Sequence, residues 1–291
     1  MTTAIIFGAN GQDGHYLNAL LTGMGMDVLG VSRSGEWLHT DIADFQAVEQ
    51  LVATHRPNFI FDLAANSTTR HDAVLENNAT IGTGTFNLLE AVYRHSRHTK
   101  VFLSGSGLQF ENKGLPVKET NAFHASSPYA VSRIQSVYAG RYYRSLGLRV
   151  YFGYFYNHES PRRPAHHLTR RIAAAACQIA AGSTEVLTIG DVDVQKEWTF
   201  AGDVVKAALI LTMQDEIFEA NLGSGLAYSI ANWLDACFSL KGLQWQNHVV
   251  SPPGFQPEYR ILVSNPDLIH SLGWRPEVTF QMLAKMMTDA A

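Results

Sequence analysis

Three glycines near the start of the chain, Gly8, Gly11 and Gly14, have the spacing of a phosphate-binding turn. They follow a short apolar run, residues 4–7, and precede an amphipathic segment that reaches about Met24. This order predicts a buried strand, a tight turn and a helix whose free N–H groups and positive dipole end favour phosphate. The first glycine permits the turn, the second admits a pyrophosphate, and the third allows close packing of helix on strand. The pattern predicts a dinucleotide site; a glycine-rich turn without a ligand is the alternative.

The end of the second predicted strand, residues 28–32, indicates which dinucleotide binds. An acidic residue there would bind the ribose 2′-hydroxyl of NAD, whereas arginine accommodates the 2′-phosphate of NADP. Arg33 stands at this point between two serines, so we expect NADP(H); a solvated loop arginine is the alternative. The residues expected around the cofactor are Gly8, Asn10, Gly11, Gln12, Asp13, Gly14, Ser32, Arg33, Ser34, Asp41, Ile42, Leu63, Ala64 and Ala65.

The elements that must position these residues alternate between strand and helix through the first half of the chain. Further strands are predicted at residues 28–32, 58–63, 100–104 and 149–154, and helices at 45–54, 75–95 and 128–146. Alternation of this kind predicts an α/β fold with a doubly wound parallel sheet and helices on both faces.

The chain changes character after residue 156, where a polar, proline-rich stretch precedes an alanine-rich helix predicted at residues 166–181. We predict a cofactor-binding core over residues 1–156 and a smaller, mainly substrate-binding lobe over residues 157–291. Residues 202–230 are expected to return to the core, because they begin with a long apolar helical face.

Composition and charge argue against several classes of partner and site. A net charge of −4 without a basic run argues against nucleic acid. Cys177 and Cys237 lie in apolar helical segments and are expected to be buried free thiols. We expect no metal site, because His166 and His167 would point in different directions on a helix. Neither a signal peptide nor a membrane-spanning run is visible, so we expect a cytoplasmic protein without a membrane partner.

Several segments together resemble the extended short-chain dehydrogenase/reductases, and among them the GDP-mannose 4,6-dehydratases and neighbouring nucleotide-sugar enzymes. These segments are GANGQDGHYL, VSRS, DLAANS, SPYAVSR, NHESPRR and the C-terminal LGWRPEVTFQML. The resemblance spans nearly the whole chain. It implies a Rossmann-type core, a nicotinamide that exchanges hydride with a sugar carbon, and a nucleotide-diphosphate sugar in the cleft.

The resemblance implies three catalytic residues, Ser106, Tyr129 and Arg133. The tyrosine and the arginine stand four apart on one helix face and match the family's Tyr-x-x-x-Lys pair. A phenol with a pKa of about 10 is a poor base at neutral pH, and a neighbouring cation lowers that pKa. The family's lysine also holds the nicotinamide ribose, so Tyr129 and Arg133 are expected cofactor contacts as well. Arginine is bulkier and planar, and the alternative is a core tyrosine beside a surface arginine.

The position two residues after Ser106 is occupied by Leu108. In the 4,6-dehydratases of this family a glutamate there removes the sugar C5 proton so that water leaves from C6, and leucine cannot do this. Gln109 is not a base, and Glu111 is a more distant candidate. The resemblance therefore favours an NADP(H)-dependent reductase of a nucleotide-activated 4-keto-6-deoxy sugar, GDP-linked by preference. A dehydratase-like lyase or an epimerase with altered acid/base residues, and a catalytically silent NADP(H)- or nucleotide-sugar-binding protein, are the alternatives.

The expected substrate contacts come from three parts of the chain. They are Ser67, Asn157, Arg162, Arg163 and Lys196, of which the cations suit a diphosphate. His158 and Glu159 are expected to orient the loop or a neighbouring chain, and a solvated polar loop is the alternative. The resemblance also implies a homodimer or homotetramer that pairs through the helices predicted at residues 75–95 and 128–146.

Overall fold

The computed structural model describes residues 2–291 and is built around one large sheet. Its elements in chain order are β1 (Thr3–Phe7), α1 (Gln12–Gly23), β2 (Asp27–Ser32), β3 (Leu38–His39), α2 (Phe45–His55), β4 (Phe59–Asp62), α3 (Val74–Asn77), α4 (Gly84–His95), β5 (Lys100–Ser106), α5 (Pro128–Ser145), β6 (Arg149–Phe155), β7 (His158–Glu159), α6 (Leu168–Ala180), β8 (Leu187–Thr188), β9 (Gln195–Glu197), β10 (Thr199–Phe200), α7 (Ala201–Thr212), β11 (Glu219–Leu222), β12 (Ala227–Ser229), α8 (Ile230–Ser239), β13 (Val249–Val250), β14 (Ile261–Leu262), α9 (Asp267–Ser271) and α10 (Phe280–Asp289).

The central sheet has seven parallel strands in the order β11-β6-β5-β4-β1-β2-β3. The chain winds outward from β1 to β3 and then returns to β4 on the other side of β1. This reversal places a crevice at the carboxyl end of β1, where open α/β sheets bind their ligands. The predicted doubly wound parallel sheet is confirmed.

Buried apolar residues on alternate sides of the strands anchor two helical layers. On one face α2, α4 and α5 pack through residues such as Val48, Leu88 and Val137. On the other face α1 and α7 pack through residues such as Leu17 and Val204. The two layers cover both faces of the sheet, so a site at its carboxyl edge is flanked by packed helices.

The C-terminal part of the chain contributes to both the sheet and a separate layer. β11 extends the sheet beside β6, and α7 packs on α1, so residues 201–222 lie with the large sheet. α6, α8 and α10 form another apolar cluster around Trp233 and Phe280. The assignment of this layer to substrate binding stays a prediction.

Three local expectations need correction or refinement. The helix predicted over residues 75–95 is α3, a π-helical turn at residues 78–83 and then α4. α6 begins at Leu168, so His166 and His167 precede it, and their rings lie 4.5 Å apart instead of pointing in different directions on a helix. Both cysteines are free; Cys237 is buried and Cys177 is partly exposed. In residues 2–291 no helix has the length and apolarity to cross a membrane.

Candidate functional site

Two adjoining cavities open at the carboxyl edge of the sheet. Both contact the glycine turn, residues 8–14. The main cleft, of about 480 Å³, lies between the turn, the end of β5, the first turn of α5 and residues 155–169. The side pocket, of about 290 Å³, extends from the turn along the end of β2. Every residue predicted to contact the cofactor lines one cavity or the other. Their contacts with a ligand stay predictions.

The glycine turn has the shape that a dinucleotide requires. Gly8 has a φ of +81°, and a Cβ there would lie 2.8 Å from the backbone nitrogen of Ala64. A Cβ on Gly14 would lie 2.4 Å from the carbonyl oxygen of Gly8, so only glycine lets α1 approach the turn. Gly11 is the N-cap of α1 and has no side chain to occupy the first-turn N–H groups. These groups therefore fit a pyrophosphate at the helix N-terminus.

Arg33 lines the side pocket but already has a partner. Its Nη2 lies 3.2 Å from Oε1 of Glu76, whose other oxygen accepts a hydrogen bond from Asn66 at 2.8 Å. Both members of the ion pair are about half exposed. Sequence reasoning missed Glu76, because it lies 43 residues further along the chain, in α3. The pair places a carboxylate beside the residue expected to discriminate NADP from NAD.

Ser106 ends β5 and lines the main cleft, where a capping box fixes its conformation. Its Oγ accepts a hydrogen bond from the backbone N–H of Leu108 at 3.2 Å. Its own backbone N–H donates to Oε1 of Gln109 at 2.9 Å. The Ser-x-x-Gln spacing is the sequence signal for this arrangement, so Gln109, dismissed as a base, has a positioning role.

Tyr129 and Arg133 lie on the face of α5 that meets the main cleft, and both are buried. The guanidinium carbon of Arg133 lies 5.1 Å from the centroid of the Tyr129 ring. Its Nη1 donates to the carbonyl oxygen of Ser104 and lies 3.0 Å from the Ser104 hydroxyl oxygen. The alternative of a surface arginine is therefore wrong. The guanidinium therefore lies within cation–π distance of the Tyr129 ring.

Asp62, at the end of β4, is a buried acid that sequence reasoning did not single out. Burial raises its pKa to about 7, although the N–H of Ala64 and the charge of Arg133 act in the opposite direction. Its Oδ1 accepts the Ala64 N–H at 3.0 Å. The acidic first residue of the DLAANS segment was the available signal. Asp62 and Arg133 are thus two buried ionisable side chains behind the cleft.

Leu108 lines the main cleft and also an adjoining cavity whose lining includes Glu258. Oε1 of Glu258 accepts a hydrogen bond from the Thr69 hydroxyl at 2.7 Å. Glu111 lies outside the cleft lining and pairs with Lys113 at 3.0 Å on the surface. Within residues 2–291, the carboxylates that line the cleft are Asp13 and Glu159. Asp13 pairs with His158, and Glu159 pairs with Arg163. Both are already engaged as hydrogen-bond acceptors, which disfavours them as bases.

All five predicted substrate contacts line the main cleft. Arg163 is committed within the chain, because its Nε lies 3.0 Å from Glu159 and its Nη2 donates to the carbonyl oxygen of His158. Arg162 is exposed, and within residues 2–291 neither it nor Lys196 forms an ion pair. Burial lowers the pKa of Lys196, although Glu159 and Glu258 oppose this effect. Arg162 and Lys196 are therefore the cations best placed for an anionic ligand.

The chain is similar in sequence to known proteins over nearly its whole length. A model of the family described as "GDP-mannose 4,6 dehydratase" matches residues 5–287. GDP-mannose 4,6 dehydratase 2 of Arabidopsis thaliana is 30% identical over 319 aligned positions, covering 98% of this chain and 86% of that protein.

Solved structures show the same fold at low sequence identity. UDP-glucose 4-epimerase of Thermus thermophilus, in complex with NAD, has a TM-score of 0.86 and 22% identity, with 99% of this chain and 98% of that chain covered. RMD from Pseudomonas aeruginosa, complexed with NADPH, has a TM-score of 0.85 and 21% identity, with 100% and 97% covered. The neighbours hold NAD in one case and NADPH in the other, so the fold accommodates both.

Proposed function

Because the chain belongs to the GDP-mannose 4,6-dehydratase family of nucleotide-sugar enzymes, we propose that it is an NADP(H)-dependent reductase of a GDP-linked 4-keto-6-deoxy sugar. The observation that carries the proposal is Leu108 in the main cleft beside a retained Ser106 and Tyr129. Elimination of water requires a base near the sugar C5 proton, and both carboxylates of the cleft lining are paired elsewhere. Reduction of a ketone does not require that base.

The residues of the chain suit a proton transfer to the oxygen of a sugar ketone. When bound, NADPH supplies the hydride that adds to the carbonyl carbon. Tyr129 donates the proton that converts the resulting alkoxide to an alcohol, and Ser106 hydrogen-bonds the same oxygen. The phenolate that remains lies beside the buried guanidinium of Arg133 and is reprotonated from solvent.

The nucleotide-sugar substrate is proposed from the cleft's cations and the family. Arg162 and Lys196 supply positive charge for a diphosphate, and arginine can bind two phosphate oxygens at once. Asn157 and Ser67 add polar contacts to the same cleft. The preference for guanosine is carried by the family alone.

NADP(H) is proposed from Arg33 at the end of β2. Glu76 neutralises part of this charge, so binding of a 2′-phosphate requires Arg33 to exchange the carboxylate for the phosphate. The exchange is feasible because both side chains are about half exposed, where an ion pair contributes about 0–1 kcal/mol.

A homodimer or homotetramer is proposed from the exposed apolar residues of the helices expected to pair. Leu75, Phe86, Tyr138 and Tyr142 lie on α3, α4 and α5 with large exposed fractions, 80% for Leu75. Light scattering coupled to size exclusion would give the mass in solution. A monomer at micromolar concentration would contradict this proposal.

The function is tested by following NADPH oxidation with 4-keto-6-deoxy sugars linked to GDP, dTDP, CDP and UDP. We expect turnover with the GDP-linked ketone and a large loss in Tyr129→Phe. Consumption of NADPH with none of the four ketones would overturn the proposal.

A dehydratase is the second candidate, because the family match carries that activity in its description. Loss of water from GDP-mannose without added NADPH would support it. Binding of NADPH and GDP without turnover of any sugar would favour the silent binding protein.

A further inference from the structure

A buried ion pair joins the glycine turn to the segment that follows β6. Nε2 of His158 lies 2.9 and 3.0 Å from the two carboxylate oxygens of Asp13. Nδ1 of the same ring lies 2.7 Å from the carbonyl oxygen of Tyr156. A carbonyl and a carboxylate oxygen both accept hydrogen bonds, so this arrangement favours a protonated imidazole that donates from both ring nitrogens.

The surroundings of His158 and Asp13 also favour a charged pair. Burial acts to lower the pKa of His158, but the adjacent carboxylate of Asp13 raises it above the ordinary value. Burial acts to raise the pKa of Asp13, but His158 lowers it below the ordinary value. The side chains of His158 and Asp13 are 9% and 20% exposed, so removing one partner leaves a largely buried charge unpaired.

A second bridge runs beside the ion pair. Nε2 of Gln12 donates to the carbonyl oxygen of His158 at 3.2 Å, and the hydroxyl of Ser160 donates to Oε1 of Gln12 at 2.8 Å. Gln12 and Ser160 are both buried. Two successive residues of the turn, Gln12 and Asp13, therefore hold residues 158–160. The two most distinctive motifs of the sequence, GQDG and NHESPRR, are parts of one contact.

The segment that follows β6 also makes contacts away from the glycine turn. β7 pairs with β10, and Glu159 accepts hydrogen bonds from Arg163 and from the Thr169 hydroxyl. Arg163 also donates to the carbonyl oxygen of His158 at 3.0 Å. Movement of residues 157–163 relative to the turn would therefore have to break the contacts made by Gln12 and Asp13.

We propose that Asp13 and His158 are positioning residues that keep the nucleotide-sugar segment, residues 157–163, in register with the turn that holds the nicotinamide cofactor. The identity of the two ligands rests on the proposed function. Asp13 acts through His158, so its carboxylate has a role beyond the cofactor contact expected from its place in the turn. A displacement of about 1 Å between reactants can reduce a rate about 100-fold.

The first test is hydrogen exchange of the full chain with NADPH alone. In the unaltered protein, NADPH bound at the turn should slow exchange at residues 12–17 and also at residues 157–163. In Asp13→Asn, which preserves size but removes the charge, protection should remain at the turn and disappear from residues 157–163. Equal protection of both segments in the two proteins would overturn the proposal. Protection of neither segment in Asp13→Asn would also overturn it, since the change would then act on cofactor binding itself.

A matched control is the partly buried carboxylate–imidazole pair of Glu49 and His95, remote from both cavities, whose atoms lie 3.1 Å apart on α2 and α4. Glu49→Gln should leave the NADPH-dependent protection of residues 157–163 unchanged. Loss of that protection in Glu49→Gln as well would show that the effect is general destabilisation. Because this experiment contains no sugar, failure of the reductase proposal does not decide its outcome.

Kinetics of a double-mutant cycle give the second test. We expect Asp13→Asn and His158→Gln each to lower kcat about 100-fold. The Kd of NADPH should change less than threefold in His158→Gln, because His158 lies outside the turn. The double variant should be less impaired than the product of the two single losses, because no charge is left unpaired. A loss of kcat in the double variant equal to the product of the two single losses would overturn the proposal. Single variants with kcat within threefold of the unaltered protein would also overturn it.

Discussion

Replacement of Asp62 by asparagine should change how the stability of the protein depends on pH. Asp62 is 4% exposed at the end of β4, and burial raises its pKa from 3.8 to about 7. Asparagine retains the Oδ1 that accepts the N–H of Ala64 but cannot ionise. The substitution therefore removes a titration and little else.

The direction of this pH dependence follows from the number of protons that the folded and unfolded states bind. In the unfolded chain the carboxyl ionises near pH 3.8, whereas in the folded protein it keeps its proton until about pH 7. Between these values the unfolded state binds fewer protons, so the free energy of unfolding falls as the pH rises. At 1.36 kcal/mol per pKa unit, the total loss is roughly 4 kcal/mol, of which about 2.6 kcal/mol falls between pH 5 and pH 8.

The assay is thermal unfolding of the unaltered protein and Asp62→Asn from pH 5 to pH 8. The Tm of Asp62→Asn relative to the unaltered protein should rise by about 4 °C across this range. Asp27→Asn, at an exposed position, is the control and should follow the unaltered protein. A Tm difference between Asp62→Asn and the unaltered protein that stays constant from pH 5 to pH 8 would show that Asp62 does not titrate in this range.

Three further predictions concern residues of the main cleft and the side pocket. Tyr129→Phe should lower kcat by roughly 10²–10⁴-fold while the Kd of NADPH, measured by fluorescence, is retained; an unchanged kcat would exclude the tyrosine as the proton donor. Arg133→Lys keeps the buried charge and should retain kcat within about tenfold, whereas Arg133→Met should lose about 100-fold or more; equal losses would show that charge is not the cause. Glu76→Gln frees Arg33 and should tighten NADPH binding a few-fold by isothermal titration without changing NAD binding; an equal change for both would contradict the pairing of Arg33 with a 2′-phosphate.

Much of the fold was predictable, because its signals are local. The apolar run of β1, the glycine turn and the helix after it lie within 24 residues of the start of the chain, and the structure confirms them. The alternation of later elements predicted the parallel sheet. The exact course of residues 71–95 was not predictable from periodicity, because a π-helical turn keeps the helical direction while it shifts the side-chain register.

The positions of the site residues were predictable, but their partners were less so. Each predicted residue lines one of the two cavities, because strand ends and helix starts meet at one sheet edge. The pairing of Glu76 with Arg33, and of His158 with Asp13, joins residues separated by 43 and 145 positions. No local pattern reports such contacts. For this reason Arg163 was expected to bind a diphosphate, although the structure commits it to Glu159.

Mass spectrometry of a single reaction can distinguish reduction from dehydration. The mixture contains the protein, carbon-13-labelled GDP-mannose, an unlabelled GDP-linked 4-keto-6-deoxy sugar and NADPH with deuterium at the transferable position. For a reductase we expect the unlabelled ketone to gain one deuterium and one proton while the labelled GDP-mannose keeps its mass. Loss of water from the labelled GDP-mannose, with the unlabelled ketone unreduced, would contradict this expectation.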